Sequence, residues 1–339
     1  RPAEALRLLD ELLAQQADDV EALGHRGLAL VRLQRPAEAG PMFERITQLD
    51  PQRADAWYHL GQVLQQLGAS DRALAAFDRC VALRPAHGPS WSQRAQVLRE
   101  LGRDAEAAEG FERALALGDD AALNGYFLAA LRGDRVPPAP PRDYVQRLFD
   151  DYAPDFDRHL VDTLGYCAPE VLARLLVSVG ARGAVLDLGC GTGLCAPLLR
   201  PLADPLHGLD LSRPMLDAAA TRGLYDALWQ GDVAEHLAAT EQRYDVLVAA
   251  DVFIYVGALE AVFAGARRVL RPDGWFAFSV EPAASGLQLQ ASLRYAHGDD
   301  HVQALAAAQG FEVRQVERGA LRRDERHTVA GRYWLLQAP

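Results

Sequence analysis

The chain has 339 residues, half of them apolar, with 46 acidic and 35 basic side chains and a formal net charge of -11. That length exceeds what one hydrophobic core usually holds, so two domains are expected, and the acidic balance argues against a nucleic-acid binder, whose footprint should be basic. Every basic side chain apart from histidine is an arginine, which excludes a pyridoxal Schiff base, a phosphate-loop lysine and a lysine nucleophile, because each needs a side-chain amine.

Read from its start, the chain repeats itself. A shift of 34 residues superposes Leu23, Trp57 and Trp91, then Gly27, Gly61 and Ala95, then Gln34, Gly68 and Gly102. The same shift aligns Ala39 with Ala73 and Ala107, Phe43 with Phe77 and Phe111, and Pro51 with Pro85, while Ala5 and Leu9 fit one period earlier. Period and pattern resemble the tetratricopeptide repeat, a helix-turn-helix unit in which small residues let two helices approach and large ones fill the gap. Units are predicted over residues 20–53, 54–87 and 88–121, with 1–19 as half a unit and 122–133 as a cap, making 1–133 a helical repeat domain. Such an array implies a groove for a protein or peptide partner; a spacer or homo-oligomerisation scaffold is the plainer alternative. Asp55, Tyr58, Gln62, Ser92, Gln96 and Arg99 are expected to face the groove, and without lysines it does not suit a clamp for a terminal carboxylate.

Residues 134–143 are rich in proline, which forbids helix and favours an extended connector. The next stretch, 144–182, has helical periodicity and many aromatic and acidic residues, and is expected to form a lid. Its segment from Leu148 to Leu160 carries Tyr152 and His159, rings that could cover a cation. Plain docking of a helix on a sheet is the alternative.

From residue 183 to 339, short apolar strands alternate with helices, the pattern of a doubly wound parallel sheet. Ala184–Leu188 reads as the first strand and Gly189-Cys190-Gly191-Thr192-Gly193 as the turn into a helix reaching Leu202, with glycines where a ligand needs close backbone approach. A dinucleotide loop would carry its third glycine one place later, where Leu194 stands, so a cofactor without a pyrophosphate fits better. His207–Asp210 forms the second strand, ending in a carboxylate. Trp229 to Val233 makes the third strand and its turn, Tyr244–Ala250 the fourth, Trp275–Glu281 the fifth, with Phe311–Arg318 and Arg332–Leu336 closing the sheet.

The stretch Val185-Leu-Asp-Leu-Gly-Cys-Gly-Thr-Gly193, with Asp210 and Asp232 downstream, resembles the motifs of class I methyltransferases. The joined repeats and lid resemble bacterial tetratricopeptide-containing methyltransferases over nearly the whole chain. The resemblance implies a Rossmann-like domain with a seven-stranded, mostly parallel sheet flanked by helices, following an α-solenoid, and S-adenosylmethionine as cofactor. It implies cofactor contacts from Asp187, Gly189, Cys190, Gly191 and Gly193 at the loop and Asp210 at the ribose. Leu211 and Met215 would lie beside the adenine, Asp232 and Val233 at its edge, and Asp251 under the methyl, with Tyr152 and His159 from the lid. Cys190 also reads as a small packing residue, and Asp232 as a helix cap.

The sulfonium already activates the methyl, so positioning suffices and a general base helps only an acceptor that carries a proton. Candidates for that base are His159, Asp251, His297 and His301; the segment around Tyr295 and His297 falls where similar families build the acceptor pocket. The four cysteines form no CxxC pair and show no zinc-type spacing, so no metal and no disulfide framework are expected. No apolar run reaches a membrane span, and neither a signal-peptide core nor an initiating Met opens the chain, giving the expectation of a truncated start and a soluble, cytoplasmic protein without membrane or nucleic-acid partners. Methylation of a recruited protein or peptide, methylation of a small or carrier-bound carboxylate with the repeats serving assembly, and a non-catalytic interaction protein remain as readings.

Overall fold

A computed structural model of the chain describes residues 2–153, 156–158, 160, 165–324 and 327–339, the side chains of 2, 3, 323, 324 and 327 excepted. It divides into two compact units, Arg1–Arg132 and Gly133–Pro339. No helix among the described residues is long and apolar enough to cross a membrane.

The first unit is all helix: α1 (Pro2–Gln15), α2 (Val20–Arg32), α3 (Pro36–Leu49), α4 (Ala54–Gln66), α5 (Ser70–Leu83), α6 (Gly88–Glu100), α7 (Asp104–Ala116) and α8 (Ala121–Arg132). Paired helices start at Val20, Ala54 and Gly88 and again at Pro36, Ser70 and Asp104, so the sequence period sets the helix spacing. Within a pair the rings of Phe43 and Phe77 lie where a side chain on Gly27 or Gly61 would be; a Cβ at Gly61 would come within 2.7 Å of the Phe77 ring. The aligned Gln34, Gly68 and Gly102 all take positive φ at the turn between the helices, which glycine meets without steric cost. Trp57 and Trp91 donate their indole N–H to the carbonyls of Pro51 and Pro85, 3.1 and 3.0 Å away, repeating one tie across two units. Gly61→Leu is expected to weaken this unit by about 1–3 kcal/mol through overpacking; an unchanged urea midpoint would contradict the close-approach account.

In the second unit the polyproline stretch is not a bare connector. Pro137 accepts a hydrogen bond from the Tyr295 hydroxyl (2.9 Å) and Pro138 from the Ala258 amide (2.7 Å), so the segment straps onto the unit that follows it. Helices α9 (Arg142–Tyr152) and α10 (Ala168–Ser178) lead into β1 (Gly183–Leu188), α11 (Ala196–Leu199), β2 (Ala203–Asp210), α12 (Arg213–Thr221), β3 (Ala227–Gln230) and α13 (Val233–Ala239). Then come β4 (Tyr244–Ala249), α14 (Glu260–Val269), β5 (Leu270–Ala283), β6 (Leu287–Leu289), β7 (Tyr295–Gly298), α15 (Asp299–Ala308), β8 (Glu312–Asp324) and β9 (His327–Gln337).

Strands β3, β2, β1, β4 and β5 run parallel in that order; β9 is antiparallel to β5, and β8 to β9. These are the seven expected strands, and the sheet has two more. The partner strand β9 leaves β5 after Val280, so Glu281–Ala283 offer unpaired backbone, which β7 takes up in parallel and β6 extends as a hairpin. A second departure follows β1: instead of a helix to Leu202 there is a four-residue helix and a 3-10 turn at Arg200–Leu202, because Pro197 and Pro201 supply no amide to a helical ladder. One face of the sheet packs Phe253, Phe263, Phe276 and Trp334 among α13, α14 and α15. The other packs Leu172, Leu176, Leu199 and Tyr333 beneath α10 and α11.

Candidate active site

The glycine loop stands at the carboxyl end of β1, the edge where ligands bind in open α/β sheets. Gly189, Gly191 and Gly193 take φ of +64°, +54° and +85°. At Gly189 a Cβ would come within 2.5 Å of Val252, so the loop after β4 closes directly on the glycine turn. Asp210, at the end of β2, ties the loop down: Oδ2 accepts from the Gly191 amide and Oδ1 from the Ser212 amide, both at 2.8 Å. Burial pushes the Asp210 pKa up, and the Ser212 and Gly191 amides pull it down.

Asp187 is 1% exposed. Its Oδ2 accepts from the Tyr225 hydroxyl at 2.6 Å, while Oδ1 is buried without a partner among the described residues. Burial raises its pKa to about 7, against the lowering effect of the Tyr225 hydrogen bond. Because the folded-state value lies above the unfolded one, this group adds stability below about pH 4 that is lost as pH rises through about 7. Asp187→Asn keeps an acceptor for Tyr225 and removes the charge. We expect it to be more stable than the parent by on the order of 3 kcal/mol above neutrality, the gap narrowing in acid; parallel pH profiles of urea unfolding would refute this.

The other expected cofactor residues have the following surroundings. Cys190 is a packing residue: the amide donates to the Leu209 carbonyl (2.9 Å), Sγ sits 3.0 Å from where a Gly208 Cβ would be, and burial pushes the thiol pKa well up. Met215 is wholly buried, which leaves the half-buried Leu211 as the one of that pair with surface to offer. Asp232 caps α13, its Oδ1 accepting from the Ala234 and Glu235 amides at 2.8 and 3.0 Å. Val233, first residue of that helix, has an amide with no intrahelical acceptor.

The general-base candidates fare differently. His297 is wholly buried and bonds through Nε2 to the Phe253 carbonyl at 3.0 Å, and burial brings its pKa down to about 4. That makes it a neutral ring bracing the loop after β4 instead of a base open to an acceptor. His301 stacks on it at 5.9 Å, and His159 lies outside the described residues. Asp251, at φ +59°, has its amide held by Ser279 Oγ (2.8 Å) and its Oδ2 ion-paired to Arg322. That oxygen is therefore already engaged by the Arg322 guanidinium.

The lid contributes two acidic residues that the pattern did not single out, and one ring of its aromatic set. Asp150 accepts from Ser212 Oγ (2.6 Å), Asp157 accepts from Thr192 Oγ1 and pairs with Arg222 (2.5 Å), and Phe156 lies 3.7 Å from where a Gly191 Cβ would be. Tyr152 packs edge-on against Phe156, ring centres 5.1 Å apart, beside the loop. In the first unit a cleft of about 350 Å³ is lined by Arg32, His59, Gln62, Gln65, Gln66 and Gln93 among others. Of the expected groove residues only Gln62 lines it; Asp55 pairs with Arg84, Ser92 is buried, and Arg99 lies over the Phe127 ring.

A family model of the methyltransferase domain matches residues 186–278, and one of the tetratricopeptide repeat matches 1–54, 26–88 and 58–122. The chain carries tetratricopeptide repeats followed by a methyltransferase domain. Its similar relatives include human methyltransferase-like protein 27, 33% identical over 164 residues, covering 44% of this chain and 64% of the relative. Malonyl-[acyl-carrier protein] O-methyltransferase of Geobacter sulfurreducens is 33% identical over 152 residues, 42% of this chain and 57% of that one. The chain therefore spans less than two thirds of the length of either relative. A solved structure, 1,6-didemethyltoxoflavin-N1-methyltransferase of Burkholderia thailandensis with bound S-adenosylhomocysteine, aligns over 60% of this chain and 92% of its own at 20% identity, with a TM-score of 0.48. The methyltransferase model includes Asp187, the glycine loop, Asp210, Asp232 and Asp251, and ends before Glu281, His297 and Arg322. Tetratricopeptide arrays in general present concave surfaces to other proteins.

Proposed function

We propose that this protein transfers a methyl group from S-adenosylmethionine to an acceptor on a protein or peptide recruited by its repeats. The observation that carries the methyltransferase reading is the Asp210 carboxylate at the glycine loop, one oxygen on each of two loop amides. The site also fits the cofactor by what it leaves unsatisfied: Asp187 Oδ1, on β1, and Asp251 Oδ1, two residues past the end of the neighbouring β4, are buried carboxylate oxygens without partners among the described residues, where a cationic ligand would satisfy them. Bound there by these carboxylates and the glycine loop, S-adenosylmethionine would supply an electrophilic methyl for the acceptor's lone pair, the electron pair of the broken carbon–sulfur bond remaining on sulfur. Asp210 has lone pairs left for the ribose diol, Leu211 an apolar surface for the base, and the Val233 amide a donor for its edge. Asp150, Phe156 and Asp157 hold the lid over the loop and exclude water.

Recruitment by the repeats is supported by the glutamine-lined cleft, whose uncharged amides suit the backbone of an extended peptide. A second reading draws on the relative named for a carrier-bound malonyl group: a small or carrier-bound carboxylate accepts the methyl, and the repeats serve oligomerisation. Labelled methyl supplied to an extract of the source cell separates the two. Label in protein supports recruitment, and label confined to the small-molecule or carrier fraction supports the second reading.

A further inference from the structure

Three half-buried rings meet where α13 covers the edge of the sheet. Trp229 of the edge strand β3 stands between His207 of β2 and His236 of α13, with ring centres 4.7 and 5.1 Å away. His207 Nδ1 is 3.1 Å from the Tyr244 hydroxyl at the start of β4, which stays protonated because burial pushes its pKa up to about 12. His236 Nε2 is buried without a hydrogen-bond partner among the described residues. Burial pushes the pKa of both imidazoles down; Asp226 pulls that of His207 back up, and His207 lowers that of His236 further. Both rings are therefore neutral at neutral pH. The charged groups on the surrounding elements have work of their own. Asp226, before β3, accepts from Arg200 and from the Leu206 amide, and Asp232 accepts from the first amides of α13. Glu235 of α13 pairs with Arg142 of α9, and Arg268 of α14 donates to the Leu237 and Thr240 carbonyls. Of these, Asp226 alone acts on an imidazole, and it favours charge on His207 only. The indole face can attract one imidazolium, but a second would meet a like charge across it with a nitrogen out of reach of water.

We propose that His207, Trp229 and His236 form an acid-sensitive clasp, which holds α13 on the sheet at neutral pH and releases it as the two imidazoles take up protons. A histidine whose folded-state pKa lies below its unfolded value, about 6.5, gives stability that is present above that value and lost as pH falls below it. Helix α13 starts three residues past the end of β3, with Asp232 as its cap. Its release therefore loosens the carboxyl edge of the sheet, the edge at which open α/β sheets bind their ligands.

The test is hydrogen exchange of the full chain at about pH 7.5 and about pH 5.5, corrected for the intrinsic exchange rate and read peptide by peptide. Protection of β3 and α13 should fall by about tenfold between the two conditions, while that of α10, on the opposite face of the sheet, stays within about twofold. His236→Phe keeps a ring against Trp229 but takes up no proton, so its β3 and α13 protection should change by less than about twofold. His236→Gln, smaller and also without a titrating proton, makes the same comparison if the phenylalanine variant does not fold. Equal protection of the parent under both conditions, or an acid loss that persists undiminished in a folded His236 variant, overturns the clasp.

Discussion

Arg322→Met is expected to lower the unfolding free energy of the second unit by about 3–5 kcal/mol near neutral pH. Methionine roughly matches the length of the arginine stem but leaves Asp251 and Glu281 facing each other in a buried site without the guanidinium. Burial already raises the Glu281 pKa against the opposing pull of Arg322, and removing Arg322 raises it further. A carboxyl group whose folded-state value lies above its unfolded value gives stability in acid that is lost as pH rises through the folded value. The deficit of the variant should therefore shrink on acidification and widen toward pH 8. Hydrogen exchange of the β8 and β9 amides reports this unit by itself. Equal protection in parent and variant at pH 8 would show that these ion pairs contribute nothing to the fold.

Asp210→Ala is expected to reduce affinity for S-adenosylmethionine by more than about a hundredfold. Two hydrogen bonds from hydroxyls to a charged acceptor contribute about 1.5–3 kcal/mol each, and the same carboxylate also holds the Gly191 and Ser212 amides. Its loss therefore removes ligand contacts and releases the loop together. Asp210→Asn helps separate these effects, because its carboxamide can accept only one of the two amides. We expect intermediate affinity for it in calorimetry, and parent-like affinity for the alanine variant would refute the assignment.

What the sequence made legible follows from how local each determinant is. The repeat was readable because each ring-over-glycine contact, Phe43 on Gly27 or Phe77 on Gly61, recurs at a fixed spacing. The glycine loop and Asp210 were readable because strand, turn and carboxylate lie within one βαβ stretch. Arg322 was hidden. It stands in the run Leu321-Arg-Arg-Asp-Glu-Arg, which looks like a solvated charged turn, and only the pairing of β8 with β9 and of β9 with β5 brings its guanidinium to Asp251 and Glu281. His297 failed in the opposite direction: as a polar residue near a predicted pocket it looked like a base, while the β6–β7 hairpin buries it completely. That hairpin had no periodic signal, because β6 spans three residues and β7 four. Tyr225 was also missed, since its role depends on a buried partner, Asp187, that lies 38 positions earlier.

The central claim is that the glycine loop and Asp210 hold S-adenosylmethionine, and direct titration of the full chain with that ligand tests it most simply. Saturable binding at one site per chain is expected, lost in Asp210→Ala while the parent melting profile of the repeats is retained. No binding by the parent protein, or equal binding by parent and variant, would contradict it.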